Sequence, residues 1–257
     1  MESRALFATY PSLQDRVVMV TGGASGIGEA MVEEFARQGA VVCFLDIQDE
    51  AAGGLVSRLG AERHEPVYFH CDLTDVAALQ GAVSSVVERF GTVDVLVNNA
   101  GNDTRQDVLA VTPELWDQTM AVNLRHQFFA AQAVIPVMQR AGRGSIINMS
   151  SIGWVIPSTR QAVYVTAKAA VVGMTRTLAH EVGGDNIRVN AVMPGAVLTE
   201  RQKRLWLTEE YETHVLANQA LKRMIEPKEV ARLVLFLAAD DSAAITNQSY
   251  VIDAGWV

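Results

Sequence analysis

Cysteine is almost absent from this 257-residue chain, which has only Cys43 and Cys71. Both fall in apolar runs that read as buried strands, so they suit reduced core thiols rather than a disulfide framework. No apolar run approaches membrane-spanning length. The first sixteen residues mix Glu2, Arg4, Asp15 and Arg16 without a sustained apolar core, so no secretory signal is expected. Positive charge is also scarce. The net charge of −8, with no basic run beyond the scattered Arg201, Lys203 and Arg204, argues against nucleic acid or an anionic membrane as partner. The five histidines, His64, His70, His126, His180 and His214, show no metal-ligand spacing, and no metal is expected. Linkers rich in Pro, Gly or Ser, internal repeats and low-complexity tracts are missing as well. The expectation is a cytoplasmic, soluble chain whose residues 1–257 form one domain.

What is present is an alternation of short apolar runs with amphipathic stretches. Strands are expected at Val17–Gly22, Ala40–Asp46, Pro66–Cys71, Val93–Asn98, Gly144–Met149, Ile187–Met193 and Gln248–Ile252. Helices are expected at Glu29–Arg37, Asp75–Phe90, Pro113–Arg140, Ala162–Val182 and Pro227–Ala239. Strands that are apolar throughout belong to a parallel sheet covered on both faces. The fold class is therefore α/β, a doubly wound, Rossmann-like parallel sheet of about seven strands.

The first strand runs directly into Gly22-Gly-Ala-Ser-Gly-Ile-Gly28, and a helical pattern follows. That context gives a glycine loop its meaning. Gly22 allows a tight turn, Gly26 lets backbone approach a pyrophosphate, and Gly28 lets helix and strand pack closely. The helix N-terminus offers free N–H groups to phosphate. The next strand ends at Asp46, eighteen residues after Gly28, where such a sheet places the carboxylate that binds the adenosine ribose. Asp46 would repel a 2′-phosphate, and neither Ser25 nor Ile47 supplies a compensating arginine, so the expected cofactor is NAD. Asp46 as a plain strand-end turn former is the alternative.

Tyr164 and Lys168 stand four residues apart in an expected helix, one turn apart on one face. Ser151 lies thirteen residues before Tyr164, at the end of an apolar run that reads as a buried strand. A free phenol titrates near pH ~10. An ammonium about 4 Å away, at an effective dielectric of about 20, favours phenolate by roughly 4 kcal/mol, or up to ~3 pKa units. The expectation is that Lys168 moves Tyr164 toward the range useful for general base catalysis. A Tyr and Lys at this spacing are also common on ordinary amphipathic helices; the Ser and the glycine loop set this pair apart.

Taken in order, Thr21–Gly28, Cys71-Asp-Leu73, Asn98-Asn-Ala-Gly101, Asn123, Ser151, Tyr164-x-x-x-Lys168 and Pro194-Gly195 resemble the short-chain dehydrogenase/reductase family across essentially the whole chain. The resemblance implies Asn123, Ser151, Tyr164 and Lys168 as catalytic residues. It implies a cofactor site of Gly22, Ser25, Gly26, Ile27, Gly28, Asp46, Ile47, Asp72, Leu73, Asn99, Ala100, Gly101, Tyr164, Lys168, Pro194, Gly195, Val197 and Thr199. In that scheme Tyr164 is the base, Lys168 lowers its pKa and binds the nicotinamide ribose, and Ser151 holds the substrate oxygen. Asn123 orders a water linking Lys168 to solvent, and the Thr199 hydroxyl meets the nicotinamide carboxamide. Homotetramers are implied too, with the Pro113–Arg140 and Ala162–Val182 helices at an interface, where Ala167, Ala170 and Gly173 would allow close approach or else pack within a monomer.

The substrate candidates are Asn102, Asp103, Ser151, Trp154, Tyr164, Arg201 and Trp206, the last two in a lid within about residues 196–221. Amides, charges and indoles at these positions suit a polyhydroxylated substrate more than a steroid or acyl chain. The detailed pattern, including Tyr10-Pro-Ser-Leu13, Asn123-Leu-Arg-His126 and Ile252-Asp-Ala-Gly-Trp256, is similar to bacterial NAD-dependent aldose 1-dehydrogenases of the D-xylose type. That implies oxidation at C1 to an aldonolactone; a polyol, sugar-acid or secondary-alcohol dehydrogenase with the same catalytic site is the alternative. Reduction of an acyl-carrier thioester fits less well, and a catalytically dead nucleotide sensor would be expected to lack Tyr164 or Lys168. Several residues keep two readings. Asn102 and Asp103 contact sugar or cap the turn, Arg105 and Arg201 bind ligand or are solvated, and Trp206 packs on cofactor or on its own helix. Arg125 and His126 are candidates to face a neighbouring subunit, and Trp256 is core or reaches one.

Overall fold

The computed structural model describes residues 7–257. Seven strands, β1 (Val17–Thr21), β2 (Val41–Asp46), β3 (Val67–His70), β4 (Val95–Asn98), β5 (Gly144–Met149), β6 (Ile187–Pro194) and β7 (Ser249–Ile252), form one sheet. All neighbours pair parallel in the order β3-β2-β1-β4-β5-β6-β7. The order runs outward in opposite directions from the β1–β4 boundary, and such a switch point leaves a crevice at the strands' carboxyl ends.

Alternate residues of each strand serve opposite faces. Val18 and Val20 of β1 join one core with α1 (Gly26–Arg37), α2 (Asp49–Leu59) and α9 (Pro227–Ala238). Val17 and Met19 join a second core with α3 (Val76–Phe90), α5 (His126–Ala141) and α6 (Ala162–Val182). On α9, Val230, Val234, Leu235 and Leu237 are fully or almost fully buried, each worth roughly 1.5–3 kcal/mol of transfer free energy. Beneath the crevice the sheet also carries amides. Asn98 donates to Asn148 Oδ1 (2.9 Å) and to the Gln127 carbonyl (3.1 Å), and Asn148 donates to the Thr175 hydroxyl (3.0 Å).

The fold class is as expected, with differences in detail. The expected continuous helix over 113–140 is α4 (Pro113–Met120), a π-helical turn at Ala121–Arg125 and α5. One residue too many for regular α geometry is absorbed there, as often happens at functional sites. Three further helices appear: α2, α7 (Glu200–Leu205) and α8 (Glu209–Asn218). β3 stops at His70, so Cys71 lies just past the strand, though still buried.

Glycine plays opposite roles in two of these helices. A Cβ on Gly28 would stand 1.8 Å from the Gly22 carbonyl oxygen, whereas one on Gly53 of α2 meets nothing within 4 Å. Gly28→Ala should therefore destabilise by about 3 kcal/mol and abolish dinucleotide binding. Gly53→Ala should stabilise by about 0.5–1 kcal/mol through helix propensity. Denaturant unfolding of both variants checks this; equal effects would mean the loop yields more than its packing implies.

Candidate active site

The glycine loop is held open for a ligand and closed to side chains. Gly22 and Gly26 take positive φ (66° and 61°), and Gly22 abuts Ala100 on the neighbouring loop. Thr21 and Asn99 brace that junction. The Thr21 hydroxyl accepts from the N–H groups of Asn99 (3.0 Å) and Ala100 (3.1 Å), and Asn99 Nδ2 donates to the carbonyls of Thr21 (3.0 Å) and Gly22 (2.9 Å).

Asp46 is buried at the end of β2. Its Oδ1 accepts from Ile47 N (2.8 Å), Gln48 N (3.1 Å) and Gln48 Nε2 (3.2 Å), and its Oδ2 from Ala24 N (2.9 Å). Oδ2 thus keeps acceptor capacity for a ribose hydroxyl. Gln48 Nε2 also reaches the Ser25 hydroxyl (3.1 Å), so a neutral amide, not an arginine, stands between Asp46 and the loop. Asp72 folds into a turn, accepting from Thr74 N (2.9 Å) and Oγ1 (2.8 Å), which hold its carboxyl below the usual range. These residues fit a dinucleotide: a cradle that side chains would fill, next to a buried carboxylate.

Asn123 lies within the π-turn and is fully buried. Its Oδ1 accepts from Asn102 N (2.9 Å), while Nδ2 donates to the carbonyls of Asn102 (3.0 Å) and Thr119 (3.0 Å). The loop after β4 is thereby clamped against the helical layer. A Cβ on Gly101 would sit 3.1 Å from Asn123 Oδ1 and 3.2 Å from Lys168 Nζ, so glycine lets those two groups converge.

Ser151 follows β5, and its hydroxyl accepts from Gly153 N (3.0 Å) while remaining a donor. Lys168 is buried, with Nζ donating to the Met149 carbonyl (3.0 Å) and lying 5.6 Å from the Tyr164 ring centroid. Sequence spacing thus predicts the grouping of Ser151, Tyr164 and Lys168, but the electrostatics differ from expectation. Burial pushes the Tyr164 phenol up to about 12, opposed by its hydrogen bond with Ser151 and reinforced by the Asp103 charge. Burial also draws Lys168 down to about 8, with Asp103 pulling the other way. Desolvation outweighs any help from Lys168, because the ammonium is committed to the Met149 carbonyl rather than to the phenol oxygen.

The substrate candidates are arranged differently from one another. Trp154 stays 39% exposed in the short 3-10 turn after Ser151. Arg201 is partly engaged within the chain: Nε pairs with Asp103 Oδ1 (3.2 Å) and Nη2 donates to Asn102 Oδ1 (2.9 Å). Trp206 lies under the Arg105 guanidinium at 4.3 Å, which also faces Tyr211 at 5.5 Å. A cavity of about 370 Å³ opens there, lined by Arg105, Leu205, Trp206, Tyr211 and His214 among others; Ser151, Tyr164 and Lys168 do not line it. Thr199 caps α7 by accepting from Gln202 N (3.2 Å), and its methyl approaches Gly26, which joins the end of β6 to the glycine loop. Gly195 packs against Asp253 and donates to the Ile252 carbonyl (2.9 Å).

One expectation of an outward-facing residue is corrected: His126 is buried, and burial pushes its imidazole down to about 3. Arg125 is exposed and donates to the Thr74 carbonyl (2.8 Å). Trp256 meets His214 of its own chain edge-on at 5.7 Å between ring centroids. Ala167 faces the core of its own chain, whereas Gly173 is exposed. Sequence reading missed Gln202, whose Nε2 donates to Asp103 Oδ2 (3.3 Å). The Thr199-x-x-Gln202 spacing, a helix-capping signature, was the available signal.

Comparison with known proteins decides the family. A family model described as enoyl-(acyl carrier protein) reductase matches residues 22–257. A probable galactose dehydrogenase, GalD, from Rhizobium meliloti is 50% identical over 247 residues, covering 96% of each chain. The chain is a short-chain dehydrogenase/reductase. A D-xylose 1-dehydrogenase from Caulobacter vibrioides is 49% identical over 249 residues, covering 97% of this chain and 98% of the relative. The crystal structure of gox2181 superposes with a TM-score of 0.91 at 33% identity, covering 96% and 98%. Family membership makes this an oxidoreductase acting on CH–OH groups with a nicotinamide cofactor. Among the described residues, no helix of this dehydrogenase is long and apolar enough to cross a membrane.

The Asn123 clamp yields a prediction for this family member. Asn123→Ala leaves the Asn102 backbone without its partners and should cost about 2 kcal/mol of stability in denaturant unfolding. It should also weaken turnover; unchanged stability would mean the clamp is dispensable.

Proposed function

We propose that the protein oxidises an aldose at C1 to the aldonolactone with NAD as hydride acceptor. The observation that carries this reading is near-full-length identity of about half to a galactose dehydrogenase and a D-xylose 1-dehydrogenase. The polar neighbourhood of Asn102, Asp103, Arg201 and Gln202 supports it, because a polyhydroxylated substrate needs donors and acceptors around the reacting carbon.

A bound NAD supplies the acceptor for the hydride that leaves C1. Tyr164 takes the proton of the C1 hydroxyl, and Ser151 donates a hydrogen bond to the same oxygen as charge shifts onto it. A phenol held near 12 has little phenolate at neutral pH, so positive charge must be brought to it. Lys168, one turn along α6, and the cationic oxidised nicotinamide are the two sources. Asn123 keeps the Asn102 backbone in place against the helical layer. An anomeric hydroxyl is more acidic than an ordinary alcohol, which eases the demand on Tyr164.

Asp46 supports NAD over NADP, since a buried carboxylate repels a 2′-phosphate and Gln48 beside it carries no charge. Further parts of the reading are a single catalytic domain with a lid at 196–221, a cytoplasmic location and a homotetramer. Exposed Trp116, Phe128 and Leu109 on and before the α4–α5 unit suit an interface there.

Incubation with NAD and a panel of pentoses, hexoses, polyols and secondary alcohols, followed by NADH absorbance, tests the substrate. Turnover of an aldose with lactone as product is expected, and Tyr164→Phe should lower it by several orders of magnitude; activity confined to polyols or alcohols would overturn the sugar reading. Asp46→Ala should weaken NAD binding and relax discrimination against NADP at least tenfold. An unchanged cofactor ratio would locate the ribose contact elsewhere.

A further inference from the structure

Arg201 has the charge and position of a substrate ligand, yet its Nε and Nη2 are engaged within the protein. Two residues at the start of α7 grip two residues of the loop after β4. Arg201 bonds Asp103 Oδ1 (3.2 Å) and Asn102 Oδ1 (2.9 Å), and Gln202 bonds Asp103 Oδ2 (3.3 Å). The Asp103 side chain is 18% exposed and that of Arg201 42%, so the carboxylate is partly shielded while the guanidinium keeps an edge in solvent. The same two-residue turn is held from the other side, where the Asn123 amide bonds both backbone groups of Asn102. One short segment therefore links α7 to the π-turn.

Asp103 is the shared element. From α7 it is held by Arg201 and Gln202, and its charge reaches Tyr211 on α8 and Tyr164 and Lys168 on α6; Arg105, two residues along the same loop, lies over the Tyr211 ring. Its negative charge opposes phenolate at Tyr164 and Tyr211 and favours the Lys168 ammonium. A guanidinium seated on the carboxylate cancels part of that field, and removing it restores the full negative charge beside the phenol.

We propose that Arg201 and Gln202 are positioning residues for the reaction: together they hold α7 on the Asn102–Asp103 turn, and the Arg201 guanidinium offsets the Asp103 charge near Tyr164. The inference rests on Tyr164 acting as base and is independent of which sugar is oxidised.

The test compares Arg201→Gln, Arg201→Lys, Asp103→Asn and the Arg201→Gln/Asp103→Asn double variant, reading the pH dependence of kcat/KM. The acid limb reports ionisation of Tyr164, and its position is insensitive to the fraction of protein that folds. Unscreened Asp103 disfavours phenolate, so Arg201→Gln should move the limb to higher pH by on the order of half a unit, with kcat down about tenfold. Arg201→Lys should bring it back, and Asp103→Asn should move it to lower pH. In the double variant the upward shift should vanish. Limbs that superpose on the wild type's, with only KM raised in Arg201→Gln, would overturn the proposal and make Arg201 a substrate ligand. Failure of the base assignment shows separately, as retained activity in Tyr164→Phe.

Discussion

The pair of hydrogen bonds from the Asn123 amide to the Asn102 backbone is the constraint on which the rest of the site depends. It joins the loop leaving β4 to the helical unit α4–α5, just beyond the bond from Asn98 at the end of β4 to the Gln127 carbonyl of α5. Asn123 reaches that loop from within the π-turn. Both Asn123 and Lys168 crowd the place where a Gly101 Cβ would stand, and Lys168 ties back to the last residue of β5. Strand ends, helix turn and lysine thus form one closed loop of contacts.

Electrostatically the site is poised rather than primed. Burial works against the charged form of both Tyr164 and Lys168, raising the phenol and lowering the ammonium, so the two are driven apart on the pH scale and both neutral forms are favoured. Ser151 and Asp103 modulate that balance locally. A site whose charged states are disfavoured in isolation is stabilised most by a ligand that carries complementary charge, which fits a cationic nicotinamide.

Much of this was legible in the sequence, and the reasons differ by element. The apolar runs of β1 and β2 with the glycine loop between them are short-range patterns, and so is the one-turn spacing of Tyr164 and Lys168. The π-turn escaped because one extra residue within a long amphipathic stretch barely disturbs its periodicity. The α2 helix escaped because Gly53 and Gly54 lower helix propensity in its middle. The partners of Arg201 could not be read at all. Asp103 and Arg201 are 98 residues apart, and only the sheet order brings their loops together. For the same reason spacing alone could suggest Lys168 as the group acting on Tyr164, but not the desolvation that dominates the phenol in the fold.

The amide ladder from Asn98 through Asn148 to Thr175 has a consequence for how the chain finds its native pairing. Adjacent parallel strands of valine and isoleucine are nearly interchangeable in hydrophobic terms, so apolar burial alone discriminates poorly among sliding alignments. A slip of β4 against β5 would strand two carboxamides in a dry interior, at about 1–3 kcal/mol for each unmatched group. Two asparagines buried in the central strands thus act as a proofreading mark during assembly, rejecting misaligned sheets that hydrophobicity would accept.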